Sequence, residues 1–286
     1  MNKKCGLRDL MKNGLVAAPG VYNALSAKMV EDAGFEAIYM TGFGTAAINR
    51  ALPDIGLLTM TEMLDVVRAI TSAVEIPLIA DGDTGYGNPL NVVRTIQEYE
   101  KAGAAAIHLE DQIWPKRCGH MEGKQVIPVD DMAAKIRAAV DARQDDDFLI
   151  IARTDALAVE GWSPAIDRLH AYAEAGADVV FMDGQDSDDH VKNLPGLFDK
   201  PSMINMGPLT PAHSVKELED IGYRLAVFPA ACLGPVVLAL KKALQEFKAS
   251  GNAPDLGGYL EVFADFNRFL GVPRYRELEE HYCSSS

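Results

Sequence analysis

A helix that ends at an Ala-Gly or Ile-Gly step and is followed at once by a short apolar strand recurs along this chain. The glycine directly after a helix supplies the left-handed cap that ends it. Nearly continuous apolar strands are typical of parallel sheets that helices cover on both faces. The repeat therefore predicts helices alternating with parallel strands, and its four clearest strands cover Ala37–Gly42, Ala105–Asp111, Asp178–Asp183 and Tyr223–Phe228.

Four further apolar segments bring the predicted strands to eight, and they cover Leu15–Tyr22, Ile76–Asp83, Phe148–Asp155 and Pro201–Met206. Eight strands alternating with helices predict a protein of the α/β class, a (β/α)8 TIM barrel. A doubly wound open sheet is the alternative, but no glycine-rich phosphate loop follows the first strand.

The chain contains no linker or low-complexity stretch, so we expect one barrel domain over residues 1–286. Residues 261–286 carry a helical pattern beyond the eighth unit and form a C-terminal helical extension. We expect this extension to pack on a neighbouring subunit.

The charge balance excludes two classes of partner. With a net charge of -14 over 286 residues, the protein repels nucleic acids and anionic membranes. An anionic small-molecule substrate therefore needs a local cationic site. The four cysteines lie far apart without metal-binding spacing, and no apolar run of a signal peptide follows the N-terminus. These features predict reduced thiols and a cytoplasmic location.

Acidic residues collect where the predicted strands end, which is the end of a barrel that carries active sites. Asp81 and Asp83 close the third strand, Glu110 closes the fourth, and Asp54 follows the second. Clustered carboxylates without histidine or paired cysteine ligands suit Mg²⁺, with Mn²⁺ as an alternative ion. The competing interpretation of Asp81-Gly-Asp83 is an ordinary Asp-Gly turn, and the presence of Glu110 favours the metal.

The segment after the fourth strand fits neither helical nor strand periodicity. Lys116-Arg117-Cys118-Gly119-His120 brings together two fixed cations, a thiol, a flexible glycine and an imidazole. Neighbouring cations favour the thiolate form of a cysteine, so Cys118 is a candidate nucleophile or acid–base group. A mobile loop that binds an anion beside a reactive thiol would need all of these residues, although a solvated charged loop is the alternative.

Further polar residues end the other strands. Arg153 has the planar fork that suits a carboxylate, but a buried ion pair with Asp155 or Asp183 explains it equally well. Asp183 and Asn205 are single polar groups on apolar strands. The amides of Gly42 and Phe43, directly after Thr41, are placed to hold a carboxylate oxygen.

Together these segments resemble the isocitrate lyase and phosphoenolpyruvate mutase superfamily over nearly the whole chain. The matching motifs are Asp81-Gly-Asp83 with Gly85-Tyr-Gly87, Glu110-Asp-Gln112, Pro115-Lys-Arg-Cys-Gly-His120 and Ala152-Arg-Thr-Asp155. The Lys-Arg-Cys-Gly-His loop is similar to that of the carbon–carbon lyase branch. The phosphonate enzymes have Asn and Ser in this loop instead.

The resemblance implies Mg²⁺-dependent cleavage of a 2-hydroxy di- or tricarboxylate to a 2-oxo acid and a short carboxylic acid. It implies that Asp81 and Asp83 hold the metal, supported by Asp54 and Glu110. It also implies that Cys118 protonates the departing half within a loop that includes Lys116, Arg117 and His120. The substrate-binding residues that it implies are Thr41, Gly42, Phe43, Gly119, Arg153, Asp183 and Asn205. A homotetramer with an exchanged C-terminal helix is implied as well.

Three departures from the methylisocitrate lyase pattern affect the expected substrate. Asp183 stands where those enzymes carry Glu, Met206–Thr210 replaces a loop that contains an acid, and Gly234 stands where they carry Arg. A missing cation removes the partner of a third carboxylate, which favours a smaller substrate such as an alkylated malate. Oxaloacetate hydrolysis and phosphonopyruvate-type chemistry are the alternative activities, and a non-catalytic binding barrel would not retain Asp81, Arg153 and Cys118.

Overall fold

The architecture is taken from a computed structural model that describes residues 3–119, 121–253 and 259–283. The predicted catalytic residue His120 lies outside these ranges. Eight parallel strands close into a barrel in sequence order, and β8 pairs with β1. The strands are β1 Val16–Val21, β2 Ile38–Met40, β3 Leu78–Asp81, β4 Ala106–Glu110, β5 Leu149–Thr154, β6 Val179–Met182, β7 Ser202–Asn205 and β8 Leu225–Phe228. The predicted (β/α)8 barrel is confirmed.

The described residues form thirteen α-helices and one short 3-10 helix, Pro195–Leu197. The α-helices are α1 Lys3–Asn13, α2 Ala24–Asp32, α3 Gly42–Arg50, α4 Met60–Ala73, α5 Pro89–Lys101, α6 Val129–Ala142, α7 Leu157–Glu160, α8 Trp162–Glu174, α9 Asp188–Asn193, α10 Val215–Ile221, α11 Leu233–Ser250, α12 Tyr259–Phe269 and α13 Val272–Tyr282. The glycine caps predicted from the repeat are present, with φ of 88° at Gly103 and 117° at Gly222.

Two compact units divide the chain between Gly234 and Pro235. The first unit contains the complete barrel, and the second contains most of α11 together with α12 and α13. The predicted C-terminal helices are therefore present. Their exchange between subunits stays a prediction. Among the described residues, no helix combines the length and apolar character needed to cross a bilayer.

All strands except β8 end one or more residues earlier than the apolar pattern predicts. Strand β3 ends at Asp81 instead of Asp83, because Asp83 adopts a left-handed conformation with φ of 46°. A residue with this φ cannot continue a strand. Asp83 therefore stands on a turn, whereas Asp81, Glu110 and Asn205 are the last residues of their strands.

The core of the barrel has an inner and an outer layer. The outer layer lies between strands and helices, and the inner one is formed by inward-facing strand residues such as Ala18, Ile79 and Ile151. Helix α1 belongs to the inner layer, because its residues Leu7 and Met11 pack in the same apolar cluster. The N-terminal end of the barrel is thus closed by an apolar plug, while the carboxyl end is left open.

We expect Leu7→Ala to lower the free energy of unfolding by about 2–5 kcal/mol, because it leaves a cavity at a fully buried position. Leu90→Ala is the matched control, since Leu90 is 78% exposed and its truncation removes little buried surface. The measurement is urea unfolding of both variants. Equal losses in the two variants would contradict the role of α1 as the barrel plug.

Candidate active site

A cavity of about 370 Å³ opens at the carboxyl ends of the strands. Its lining brings together predicted site residues from β2 to β7 and from the loop after β4. The lining residues that the sequence had predicted are Thr41, Phe43, Asp54, Asp81, Lys116, Cys118, Gly119, Arg153, Asp183 and Asn205. Segments far apart in sequence therefore meet at one place, because parallel strands present all their carboxyl ends on the same side of a barrel.

The turn after β3 arranges two of the predicted metal ligands. Asp81 Oδ1 accepts a hydrogen bond from the Asp83 amide at 3.0 Å, and Asp81 Oδ2 accepts one from the Gly42 amide at 3.0 Å. A Cβ atom at position 42 would overlap Asp81 Oδ2, so only glycine lets α3 begin this close to β3. Burial raises the pKa of Asp83 to about 6, and burial also raises the pKa of Asp81.

Lys116 joins the turn after β3 to the segment after β2. Its Nζ lies 2.6 Å from Asp54 Oδ1 and 2.7 Å from Asp83 Oδ1, and the lysine side chain is buried. The Cys118 amide donates to the Asp54 carbonyl at 3.0 Å. Desolvation opposes the charge of Lys116, but the surrounding acids outweigh it and raise its pKa well above the ordinary value. Lys116 is therefore a permanent cation at the centre of the acid cluster.

Arg153 is the other central cation. Its guanidinium donates to Asp155 from both Nε (2.9 Å) and NH2 (3.0 Å), and to Asp183 Oδ2 at 2.7 Å. The side-chain amide of Asn205 donates from Nδ2 to Asp183 Oδ1 at 2.9 Å. The structure thus combines both interpretations of Arg153, because the residue is a buried ion-pair partner that also lines the cavity.

Glu110 lies beneath the cavity and is fully buried. Neither carboxylate oxygen has a hydrogen-bond partner among the described residues, and Oε2 lies 3.4 Å from Arg153 Nε. Burial raises the pKa of Glu110 well above its ordinary value, against the opposing effects of Arg153 and Lys116. A buried carboxylate without hydrogen bonds is costly, so Glu110 favours a further cation or donor at this position.

The loop after β4, described at residues 111–119 and 121–128, is held over the cavity by contacts at several of its residues. Gln112 accepts from the Arg117 amide at 2.9 Å and donates to the Arg117 carbonyl at 2.8 Å. At Gly119, a Cβ atom would overlap Asp183 Oδ2 and lie 2.8 Å from Arg153 NH2. The loop backbone therefore rests directly on the acid–guanidinium pair. The Arg117 side chain is exposed and does not line the cavity.

The residues after β2 form the start of a helix. Thr41 is the N-cap of α3 and accepts from the Gly44 amide at 3.3 Å, while the Gly42 amide is engaged by Asp81. Phe43 lines the cavity and is partly exposed. In this arrangement Thr41 and Gly42 shape the site through backbone contacts, and their contact with a substrate stays a prediction.

Three residues of the site were missed at the sequence level. Tyr39 lines the cavity, and its hydroxyl lies 3.0 Å from His108 Nε2. Burial lowers the pKa of His108 to about 3, so its imidazole is neutral. Lys124 donates to the Gly119 carbonyl at 2.6 Å and lies 3.1 Å from Asp155 Oδ1. Tyr39 and His108 occupy ordinary apolar strand positions, and Lys124 stands in a polar loop, so no pattern marks them.

The residues present fit a divalent cation by charge. Six buried acids face three buried cations at the barrel mouth, and the acids are Asp54, Asp81, Asp83, Glu110, Asp155 and Asp183. Within the described ranges, no three His, Cys, Asp or Glu side chains already form a ligand set. Mg²⁺ retains several water ligands and uses one or two direct carboxylates, so a preformed set of three is not required.

In protein freed of metal by chelation, we compare the melting temperature of Glu110→Gln with that of the unsubstituted protein. We expect this difference to shift in favour of the variant as pH rises from about 5 to about 8. The raised pKa means that folded Glu110 holds a proton which the unfolded chain releases above its ordinary pKa. Rising pH therefore lowers stability more in the unsubstituted protein than in Glu110→Gln, while the raised pKa values of Asp81 and Asp83 act in both. The measurement is the difference in melting temperature against pH.

Glu160→Gln is the control, because Arg168 lowers the pKa of Glu160 and both its folded and unfolded values lie below this pH range. The difference in melting temperature between Glu160→Gln and the unsubstituted protein should stay constant with pH. A constant difference for Glu110→Gln as well would contradict the burial of an uncompensated carboxyl at position 110.

Comparison with known proteins agrees with this geometry. The family described as phosphoenolpyruvate phosphomutase matches residues 7–248. The chain is 41% identical to 2,3-dimethylmalate lyase from Eubacterium barkeri, over 99% of both chains. It is 39% identical to 2-methylisocitrate lyase from Aeropyrum pernix, over 95% of this chain and 88% of that protein.

Solved structures resemble the fold over nearly its full length. A crystal structure of 2,3-dimethylmalate lyase has a TM-score of 0.93 at 36% identity and covers 100% of this chain and 97% of that chain. Oxaloacetate acetylhydrolase with 3,3-difluorooxalacetate has a TM-score of 0.92 at 34% identity, covering 100% and 98%. Phosphonopyruvate hydrolase with oxalate and Mg²⁺ has a TM-score of 0.90 at 32% identity, covering 99% and 100%. The chain therefore belongs to the phosphoenolpyruvate mutase and isocitrate lyase superfamily, as its motifs predicted.

Proposed function

We propose that this protein is a Mg²⁺-dependent carbon–carbon lyase that cleaves an alkylated 2-hydroxy dicarboxylate of the 2,3-dimethylmalate type. The products are a 2-oxo acid such as pyruvate and a short carboxylic acid such as propionate. The proposal is supported by family membership and by the similarity to 2,3-dimethylmalate lyase and 2-methylisocitrate lyase. The choice of a dicarboxylate rests on the outer wall of the cavity.

That outer wall is apolar. The cavity has a charged floor, which includes Asp54, Asp81, Lys116, Arg153 and Asp183.

Its outer wall is formed by Phe43, Met121, Pro208, Pro229 and Ala230. Among the described lining residues, the cations are Lys116 and Arg153, and both already contact acids. Alkyl substituents would bury against this wall at a gain of roughly 0.8 kcal/mol per methylene. This cation-poor apolar wall is the observation that carries the proposal.

A tricarboxylate fits the same wall poorly. The third carboxylate of methylisocitrate would need a cation, and a buried unpaired carboxylate is costly. Gly234, which stands where methylisocitrate lyases carry Arg, does not line the cavity, and Gly207 and Pro208 supply no charge from the segment after β7. Of the departures noted in the sequence, only the segment Met206–Thr210 thus contributes to this wall, through Gly207 and Pro208.

Arg153 would hold the 2-oxo half of the substrate, since it is the cavity-lining guanidinium above Glu110. Asp81, Asp83, Asp54 and Glu110 would hold Mg²⁺ directly or through water. When bound, this ion supplies the positive charge that stabilises an oxyanion next to the bond that breaks. Water is kept from the reacting carbons by the loop segment that ends at Gly119.

Cleavage requires two proton movements. The hydroxyl proton leaves to a base at the barrel mouth, the C2–C3 bond breaks, and its electron pair passes to the carbon of the departing carboxylate half. Cys118 lines the cavity on the loop above the site, and its thiol would donate a proton to that carbon. General acid catalysis of this kind typically contributes 10²- to 10⁴-fold in rate.

Hydrolysis of oxaloacetate is the second candidate, favoured by the fold similarity to oxaloacetate acetylhydrolase. The same site would then admit water as the nucleophile, and the products would be oxalate and acetate. The apolar outer wall argues against this candidate, because oxaloacetate carries no alkyl substituent to occupy it.

With Mg²⁺ present, we expect the protein to convert 2,3-dimethylmalate to pyruvate and propionate. Its kcat/KM should exceed that for methylisocitrate by about tenfold or more, since the third carboxylate lacks a partner. Cys118→Ser should lower kcat by about a hundredfold, whereas Cys232→Ser, the control at a half-buried thiol outside the cavity, should not. Products are identified by NMR. Oxalate from oxaloacetate as the dominant turnover would support the second candidate instead.

We also expect Mg²⁺ to raise the melting temperature of the unsubstituted protein by at least about 2 °C, because the ion binds only the folded site. Asp81→Asn should remove most of this shift. Asp65→Asn, at an exposed surface pair with Arg68, should retain it. An identical shift in both variants would place the ion somewhere other than the acid cluster.

A further inference from the structure

Lys124 is a buried cation that the proposed chemistry does not use. Its side chain is 2% exposed, and Nζ donates to the Gly119 carbonyl at 2.6 Å while lying 3.1 Å from Asp155 Oδ1. The same Asp155 carboxylate accepts two hydrogen bonds from Arg153. One carboxylate therefore contacts both a cation from the loop and the guanidinium of the cavity floor.

The two ends of the loop are joined by backbone hydrogen bonds, which anchor its base. Gln112 and Val126 form an isolated antiparallel bridge, the Ile113 amide donates to the Gln125 carbonyl at 2.8 Å, and the Ile127 amide donates to the Asp111 carbonyl at 2.8 Å. Lys124 stands on the returning arm, next to this base. Its side chain therefore extends from a fixed point toward Gly119 on the outgoing arm.

Gly119 is the residue at which the loop backbone lies closest to Asp183 and Arg153 of the cavity floor. A side chain there would overlap Asp183 and crowd Arg153, so only glycine lets the backbone lie this close to the pair. The contact of Lys124 with the Gly119 carbonyl exists only in this seated position, whereas its contact with Asp155 requires only the anchored base of the loop next to Lys124. The hydrogen bond to Gly119 therefore favours the seated loop over any displaced position.

A hydrogen bond from a charged donor is stronger than a neutral one. Its loss would shift the ratio of seated to displaced loop by roughly 10- to 100-fold. The charge of Lys124 is itself stabilised by Asp155, because a buried ammonium needs an acidic partner. Asp155 in turn is held by the Asp111 carboxylate, which accepts the Asp155 amide at 2.9 Å.

We propose that Lys124 is a positioning residue that seats the Cys118 segment over the cavity, and that Asp155 couples this seating to the orientation of Arg153. The seating follows from the contacts of the loop alone. Its effect on turnover rests on the proposed lyase function. A test of loop position that does not depend on turnover therefore separates the two.

The test is the rate at which iodoacetamide alkylates Cys118 relative to Cys232 in the full-length protein, followed by mass spectrometry. In Lys124→Met this ratio should rise by about fivefold or more, because the displaced loop exposes Cys118. Loss of a nearby cation would by itself reduce the thiolate fraction and slow the reaction, so a rise reports access. Lys124→Gln keeps an N–H donor and should give an intermediate ratio.

Lys135→Met is the matched control. Lys135 is also buried and also donates to a backbone carbonyl, that of Thr84 at 2.9 Å, away from the Cys118 segment. It should leave the ratio unchanged. An unchanged ratio in Lys124→Met, or an equal rise for both cysteines, would overturn the proposal. If Lys124→Met does not fold, Lys124→Gln is judged by the same criterion.

Kinetics then test the consequence for the reaction. Lys124→Met should lower kcat/KM by about tenfold or more, and Lys124→Gln should recover part of it. If labelling changes as expected while the unsubstituted protein turns over none of the tested acids, the positioning role stands and the lyase proposal fails. If turnover is normal in Lys124→Met despite faster labelling, seating does not limit the reaction and the coupling to Arg153 is wrong.

Discussion

The ion pairs of Arg153 are the interaction on which the mouth of this barrel depends. One buried guanidinium contacts Glu110, Asp155 and Asp183, which stand at or just beyond the ends of β4, β5 and β6. Buried charges are tolerated only when they are paired in good geometry. The ends of these three strands therefore cannot shift independently. The parallel register supports the arrangement, because it places Glu110 directly beside Arg153.

The position of the loop after β4 follows from the same electrostatic requirement. Its apolar residues Ile113 and Trp114 are partly exposed, whereas Lys116 and Lys124 are buried among acids. The loop is thus held by ion pairs and backbone hydrogen bonds, not by an apolar core. Lys116 pairs with Asp54 and Asp83, two of the acids that the sequence assigned to the metal. The position of the loop therefore depends on two of the carboxylates that the proposed metal would need.

The barrel and most of its cavity were predictable from the sequence. Eight apolar segments, four of them preceded by a glycine cap, predict the parallel barrel, and barrel geometry then brings their polar ends together. Strand limits were less predictable, because the left-handed conformation of Asp83 depends on the contacts of its turn. Lys124 and Tyr39 were not predictable at all. Their roles depend on side chains from distant segments, and neither the polar loop nor the apolar strand differs locally from an ordinary one.

The division of the cavity into a charged floor and an apolar wall has a consequence for how such enzymes diverge. Floor residues such as Arg153 and Asp183 are paired with one another, so replacing one leaves a buried charge without its partner. Wall residues such as Pro208 and Pro229 line the cavity from the segments after β7 and β8. These segments lie outside the ion-pair network and can change at little cost to the fold. Substitutions in the wall would therefore change the shape of the cavity and leave the ion pairs of its floor in place.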